Sequence, residues 1–447
     1  MQVQSRALRG AVERSFTMGL LAACVALAPA IAMAQGIPAA RPETVGLSPA
    51  RLDHLKTWLQ GEVDQGRIPG AVVMIVRDGK LAWSQTVGYL DKDAGKPLTK
   101  DAIFRIYSMT KPMVSVAAMM LVEDGRLQLT DPVSKYLPEF DKMNVAVAST
   151  DAAGVVTYSM VPAAKPITVH DLLRHTSGLG YAEITRNAAL KKAYIDAGVY
   201  ADNGTDYDSR MVTPQREVEG LAKAPLSTQP GSNWEYGMSV DVLGRVVEAA
   251  SGMRLSAFLD ERLFKPLKMV DTGFQVPEAQ RARIAQPLAI DPATKAPNKV
   301  LDVTVAPLND SGGAGAVSTA SDYLRFADMM LRGGELDGQR ILSPTTVRLM
   351  TSDSLGVRTT VPLTPGELLM GVQGYTFGLG FMVRQGPGLA GVPGSEGEFM
   401  WAGAAGTFFW VDPKQNLAVV AMMQVPGPMR PGYRRALKQM VYAAIVR

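Results

Sequence analysis

The chain has one cysteine and three histidines among 447 residues, and this scarcity excludes much chemistry at once. No Cys/His cluster at zinc spacing and no His-Glu-x-x-His occur, so neither a protein-held metal nor another cofactor is expected. The histidines are His54, His170 and His175. No Gly-x-Ser-x-Gly elbow is present to pair with any of them in a Ser-His-Asp triad. His54 falls on the polar side of an amphipathic helix. His175 stands between a helix end and Gly178, where it is expected to bond a backbone carbonyl and tie down a loop. Internal repeats and low-complexity tracts are also missing. Charged residues make up 20%, which is ordinary for a folded chain.

The formal net charge is only +4, too little to argue for nucleic acid. Half of it lies in the leader, where Arg6, Arg9 and Arg14 stand against Glu13. An apolar run from Met18 to Met33 follows, then Ala32-Met33-Ala34 before Gln35. This is the pattern of an export signal over residues 1–34, cleaved after Ala34. A membrane anchor fits less well, because the run is short, contains Pro29 and lacks a charged stop. Lipoprotein processing at Leu21-Ala22-Ala23-Cys24 fits less well too, because the run stays apolar past Cys24. Cleavage leaves no cysteine, hence no disulfide in an oxidising compartment. A periplasmic or secreted protein over 35–447 is expected, without stable membrane insertion. No oligomeric state follows from the sequence.

Apolar and turn patterns organise the rest. Ser48 to Asp64 reads as an amphipathic helix capped by Ser48. Gly70 to Val76 and Leu81 to Gly88 read as strands joined by Asp78-Gly79, a hairpin signal. Ala146 to Ala164 reads as an inserted hairpin or loop, and Thr168 as a helix cap. Tyr181 to Ser227 reads as a polar, helix-rich lid. Strands return from Tyr375, and Tyr433 to Val446 reads as a last helix. Strands at both ends with helices between predict an α+β fold. One antiparallel sheet is built from about 48–100 and 375–447, and a mostly helical region, about 108–370, is inserted. The cleft belongs at their junction.

The most informative stretch is Arg105-Ile106-Tyr107-Ser108-Met109-Thr110-Lys111-Pro112. The run Met113 to Val122 behind it is apolar all round, as in a buried helix. Ser108 then sits at the helix start, beside free N–H groups and the positive dipole end. Lys111, three residues on, shares its face. A serine hydroxyl needs a base, and a lysine desolvated by a buried helix can serve. The same pair also reads as a helix cap and a snorkelling surface lysine.

Acyl transfer also needs a proton shuttle and oxyanion donors. Trp234-Glu235-Tyr236-Gly237-Met238 offers Tyr236 in a loop before a helix. Trp401-Ala402-Gly403-Ala404-Ala405-Gly406 precedes an apolar strand, and its small residues let a substrate lie along the strand edge. A backbone N–H from this strand can pair with that of Ser108.

Taken together, these segments resemble the serine β-lactamase and penicillin-binding-protein superfamily on its class C side, and most of all the family VIII carboxylesterases. The likeness spans the chain from about Leu47. Ser108-Met109-Thr110-Lys111 matches the first motif, and Tyr236-Gly237-Met238 stands at the Tyr-x-Asn motif. Trp401-Ala402-Gly403 stands at the Lys-Thr-Gly motif. His175 to Leu179 and Asp241 to Val247 look like family segments. The resemblance implies a β-lactamase/transpeptidase-like fold, with Ser108 as acylated nucleophile and Lys111 and Tyr236 sharing base and shuttle work. It implies an oxyanion hole from the N–H groups of Ser108 and Ala404, and a substrate surface of Trp401, Ala402, Gly403 and Met238. Two polar family positions, a lysine and an asparagine, are here Trp401 and Met238. An apolar site without that cation favours small neutral esters. The alternatives are a β-lactamase or D,D-peptidase-type amide hydrolase and a non-catalytic cell-envelope binding protein.

Overall fold

The computed structural model describes residues 36–200 and 208–447. The expected export signal, and with it Cys24, lies outside these residues.

Apolar runs from both chain ends meet in one sheet. Gly70–Arg77 and Leu417–Met423 are buried along their whole length and pair antiparallel, Val73 opposite Ala421. Such continuous apolar strands need cover on both faces. Phe409 turns to the helix Ala320–Leu331, with its ring 4.9 Å from that of Tyr323. Its neighbour Trp410 turns the other way, under Lys438 of the last helix, Arg430–Ala443. That last helix packs with the first, Pro49–Asp64. The sheet order is Tyr375–Phe377, Met382–Arg384, Phe399–Ala402, Phe408–Asp412, Leu417–Met423, Gly70–Arg77, Lys80–Asp91 and Lys96–Pro97. Neighbouring strands run antiparallel throughout. This is the α+β, β-lactamase/transpeptidase-like architecture.

Local signals explain the joints. Asp78 and Gly79 both take positive φ, 50° and 70°, as a tight hairpin turn matching the strand twist requires. Ser48 caps the first helix by accepting from the Arg51 N–H. Thr168 and Asp171 form a reciprocal capping box.

Between the two sheet halves lies the helical part. The helix Thr110–Glu123 is buried from Thr110 to Leu121 and packs on Ser239–Ser251. Asn144–Thr150 and Val156–Pro162 form the inserted hairpin. The lid contributes the helices Ala188–Asp196 and Pro214–Lys223. Among the described residues no helix is long and apolar enough to cross a membrane.

Candidate active site

Ser108 lies in a 3-10 turn, Tyr107–Met109, that runs directly into the buried helix. Tyr107 takes φ of +43°, a strained value for a bulky residue. Its hydroxyl accepts from the Leu301 N–H at 2.9 Å, and its carbonyl accepts from the Thr110 hydroxyl at 2.6 Å. The turn is therefore held from both ends, with Ser108 half-buried at a cavity of about 610 Å³.

Lys111, 1% exposed, reaches back from the first turn of the helix. Its Nζ donates to Ser108 Oγ at 3.3 Å, to Tyr181 Oη at 2.9 Å and to the Gly313 carbonyl at 2.8 Å. All three partners are neutral, and among the described residues no carboxylate pairs with it. The Gly313 carbonyl is fixed in turn by Asp241, which accepts from the Gly313 N–H at 3.0 Å and from Ser311 at 2.8 Å. The glycine-rich loop 311–315 is thus anchored and positions the lysine.

Tyr236 donates to Ser108 Oγ at 2.6 Å. Its ring also faces the Lys111 nitrogen, 4.7 Å from the centroid. The tyrosine is set by a backbone splice. Met238 N–H donates to the Leu179 carbonyl at 2.8 Å, and Gly180 pairs antiparallel with Gly237. A Cβ at Gly237 would run into the Leu179 carbonyl and the Gly180 backbone. Only glycine permits this approach. Gly237→Ala should shift Tyr236 off Ser108 and lower kcat by about a hundredfold, the cost of roughly 1 Å of misplacement. Steady-state kinetics on the folded variant checks this.

The splice brings in a residue that sequence reasoning missed. Tyr181, expected to begin the lid, is a direct partner of Lys111, and its ring stands 5.3 Å from that of Tyr236. Burial pushes its phenol well above the usual value, so it stays neutral. Its position after Gly178-Leu179-Gly180 was the available signal, but only the pairing with Gly237 gives it meaning.

Three expectations are corrected. Trp401 and Met238 do not line the cavity; both are fully buried. Trp401 stands behind Tyr236, its ring 5.3 Å from that of Tyr236 and 5.3 Å from that of Phe377. Met238 lies at the start of the helix Ser239–Ser251, with its sulfur 3.9 Å from the Tyr200 hydroxyl. Both back the machinery rather than touch substrate. Neither ring nitrogen of His175 has a hydrogen-bond partner. The ring packs instead on Tyr236 at 5.0 Å, Phe377 and Trp234. Burial, and Lys111 nearby, hold the imidazole well below its usual pKa, hence neutral. It serves as aromatic packing under Tyr236.

Ala402, Gly403 and Ala404 do line the cavity opposite Ser108. Two arginines brace them. Arg430 donates to the Ala404 carbonyl at 2.7 Å and Arg434 to the Gly403 carbonyl at 2.8 Å. With Lys299 they put cations on the cavity wall, while Glu183 and Asp208 add carboxylates. The site is therefore not without positive charge. These residues lie far from the motifs in sequence and carry no local signature. Among the described residues no group of three or more His, Cys, Asp or Glu could hold a metal.

The chain belongs to the beta-lactamase family, whose model, described as Beta-lactamase, matches residues 55–443. It is 36% identical over 383 residues to an uncharacterised protein of Mycobacterium tuberculosis, covering 83% of this chain and 90% of that one. Esterase EstB of Burkholderia gladioli is 30% identical over 419 residues, covering 88% and 95%. Among solved structures, EstCE1, described as a hydrolase with promiscuous acyltransferase activity, superposes with a TM-score of 0.70. It is 28% identical and covers 88% of this chain and 98% of its own. The protein is an enzyme of the serine-hydrolase kind, which sets aside the reading of a non-catalytic binding protein.

Proposed function

We propose that the enzyme cleaves small carboxylic esters through an acyl-enzyme on Ser108. One observation carries this reading: the Ser108 hydroxyl, at the cavity wall, lies within 2.6 Å of Tyr236 and 3.3 Å of Lys111. Tyr236, reacting as the phenolate beside the Lys111 ammonium, takes the serine proton as Oγ attacks the ester carbon. The N–H groups of Ser108 and Ala404 hold the oxyanion. The carbon–oxygen bond to the alcohol breaks, and Tyr236 passes the proton to the departing oxygen. Water then enters by the same route and releases the acid. The esterase names of similar proteins support the substrate class, among them a lovastatin esterase of Penicillium rubens, 28% identical over 413 residues. Export to the periplasm or medium through residues 1–34 belongs to the same proposal.

Brief incubation with p-nitrophenyl butyrate and acid quench should add one butyryl group to the Ser108 peptide, read by mass spectrometry. Turnover without label on that peptide would sink the mechanism. A second reading gains from Lys299, Arg430 and Arg434, which offer a counter-charge to a carboxylate-bearing lactam or amide. Nitrocefin turnover faster than ester turnover would select it.

A further inference from the structure

A second chamber adjoins the first. It encloses about 590 Å³ and does not include Ser108 among its lining residues. Ile184 and Tyr236 line both chambers and form the partition between them. One wall of the second chamber is the inserted hairpin, with Val145 and Val147; Pro362 and Leu363 contribute elsewhere to the lining. The hairpin is fastened in place. Ala146 N–H donates to the Leu226 carbonyl at 2.9 Å, Leu226 N–H to Asn144 at 2.7 Å, and Asn187 Nδ2 to Ala146 at 3.0 Å.

The lining mixes apolar side chains with polar ones, and some of the polar atoms are unspent. Trp234 is 2% exposed, yet its indole N–H has no acceptor. Thr228 Oγ1 is buried and likewise without a partner. Both residues line the chamber. Buried polar atoms normally find partners, so unpaired ones at a cavity wall point to a ligand.

The direction of chemistry says which ligand. This step rests on the esterase reading above. An ester has two halves, and one leaves with the proton taken from Ser108. Tyr236 Oη is the group at 2.6 Å that can carry that proton, so the departing oxygen comes within reach of the same hydroxyl. Its substituent then extends along Tyr236, which is the partition. We infer that the second chamber receives the alcohol half of the ester: a neutral alcohol with a bulky apolar body. Arg186 and Glu235 add one charge of each sign to the lining, which favours an alcohol without net charge. The acyl half remains in the Ser108 chamber. On the return step, an alcohol held in the second chamber can attack the acyl-enzyme in place of water, with its proton passing to Tyr236.

Two ester series test this. One holds the acid as acetate and enlarges the alcohol from methyl to 2-naphthylmethyl; the other holds methyl and lengthens the acid. Wild-type kcat/KM should rise about tenfold or more along the alcohol series. Val147→Trp and Leu363→Trp occupy the chamber from different parts of its lining. Both positions are partly exposed, at 42% and 40%, so folding is not at stake. Each should erase the gain for the naphthylmethyl ester and leave the acyl-length series within about twofold. Variants that alter the acyl series instead, or neither series, would overturn the assignment. A wild type with no gain along the alcohol series, while Ser108→Ala still abolishes turnover, faults only the chamber; turnover that survives Ser108→Ala faults the esterase reading itself.

Discussion

Replacing Ser108 by alanine is expected to lower kcat/KM for p-nitrophenyl butyrate by about ten-thousandfold or more. On the proposed mechanism the hydroxyl is the reacting atom. Among the described residues the lining offers Tyr107, Tyr181 and Tyr236 but no other serine, no threonine and no cysteine. Lys111→Ala should cost nearly as much. Its nitrogen binds Ser108, Tyr181 and the Gly313 carbonyl at once, so its removal unpins three groups. The two losses should not add, because residues that act as a unit fail together. The double variant is expected within about threefold of Ser108→Ala alone. Ser108 is half-buried and, among the described residues, its hydroxyl bonds Lys111 and Tyr236 alone, so its truncation should leave the thermal midpoint nearly unchanged. A folded Ser108→Ala protein retaining a tenth of the activity would mean the nucleophile lies elsewhere.

The parts of this molecule that were legible in the sequence are those fixed by neighbours along the chain. The all-apolar run after Lys111 required a buried helix, and Asp78-Gly79 required a tight hairpin. Ser108 and Lys111 are three residues apart, so helical geometry alone brings them together. Tyr236 was legible for a different reason: it matched a family pattern, and the structure sets it at 2.6 Å from Ser108. What stayed hidden depends on pairings across long stretches of chain. Tyr181 reaches Lys111 across 70 residues because Gly180 pairs with Gly237. Arg430 and Arg434 reach the strand end at Gly403 and Ala404 because the last helix packs over it.

The same limit explains the errors at Trp401 and Met238. A residue at a motif position was read as facing substrate, but strand alternation turns Trp401 away from the cavity while its neighbour Ala402 lines it. Trp401 and Met238 therefore do not set the charge of the substrate. Lys299, Arg430 and Arg434 on the cavity wall bear on it, and the ester-to-nitrocefin ratio reads their effect.

Tyr236→Phe should lower kcat by about a hundredfold to ten-thousandfold, the span of a lost general acid–base group, with little change in KM. The substitution keeps the ring, and the ring is what its neighbours use. Trp401 at 5.3 Å, His175 at 5.0 Å and Tyr181 at 5.3 Å all pack on it. Only the hydroxyl bonded to Ser108 is removed, so the defect belongs to proton transfer rather than to folding or binding. Tyr181→Phe is the informative control. Its hydroxyl accepts from Lys111, so it positions the lysine, and its loss should cost only about tenfold. The order of the two effects decides between routes. If Tyr236→Phe is the more severe, the serine proton leaves through the hydroxyl at 2.6 Å and Lys111 supports it. If Tyr181→Phe is the more severe, the proton runs through Lys111 towards Tyr181. Tyr236 would then be a wall of the site, and the alcohol could not be steered past it by the proton it is meant to receive.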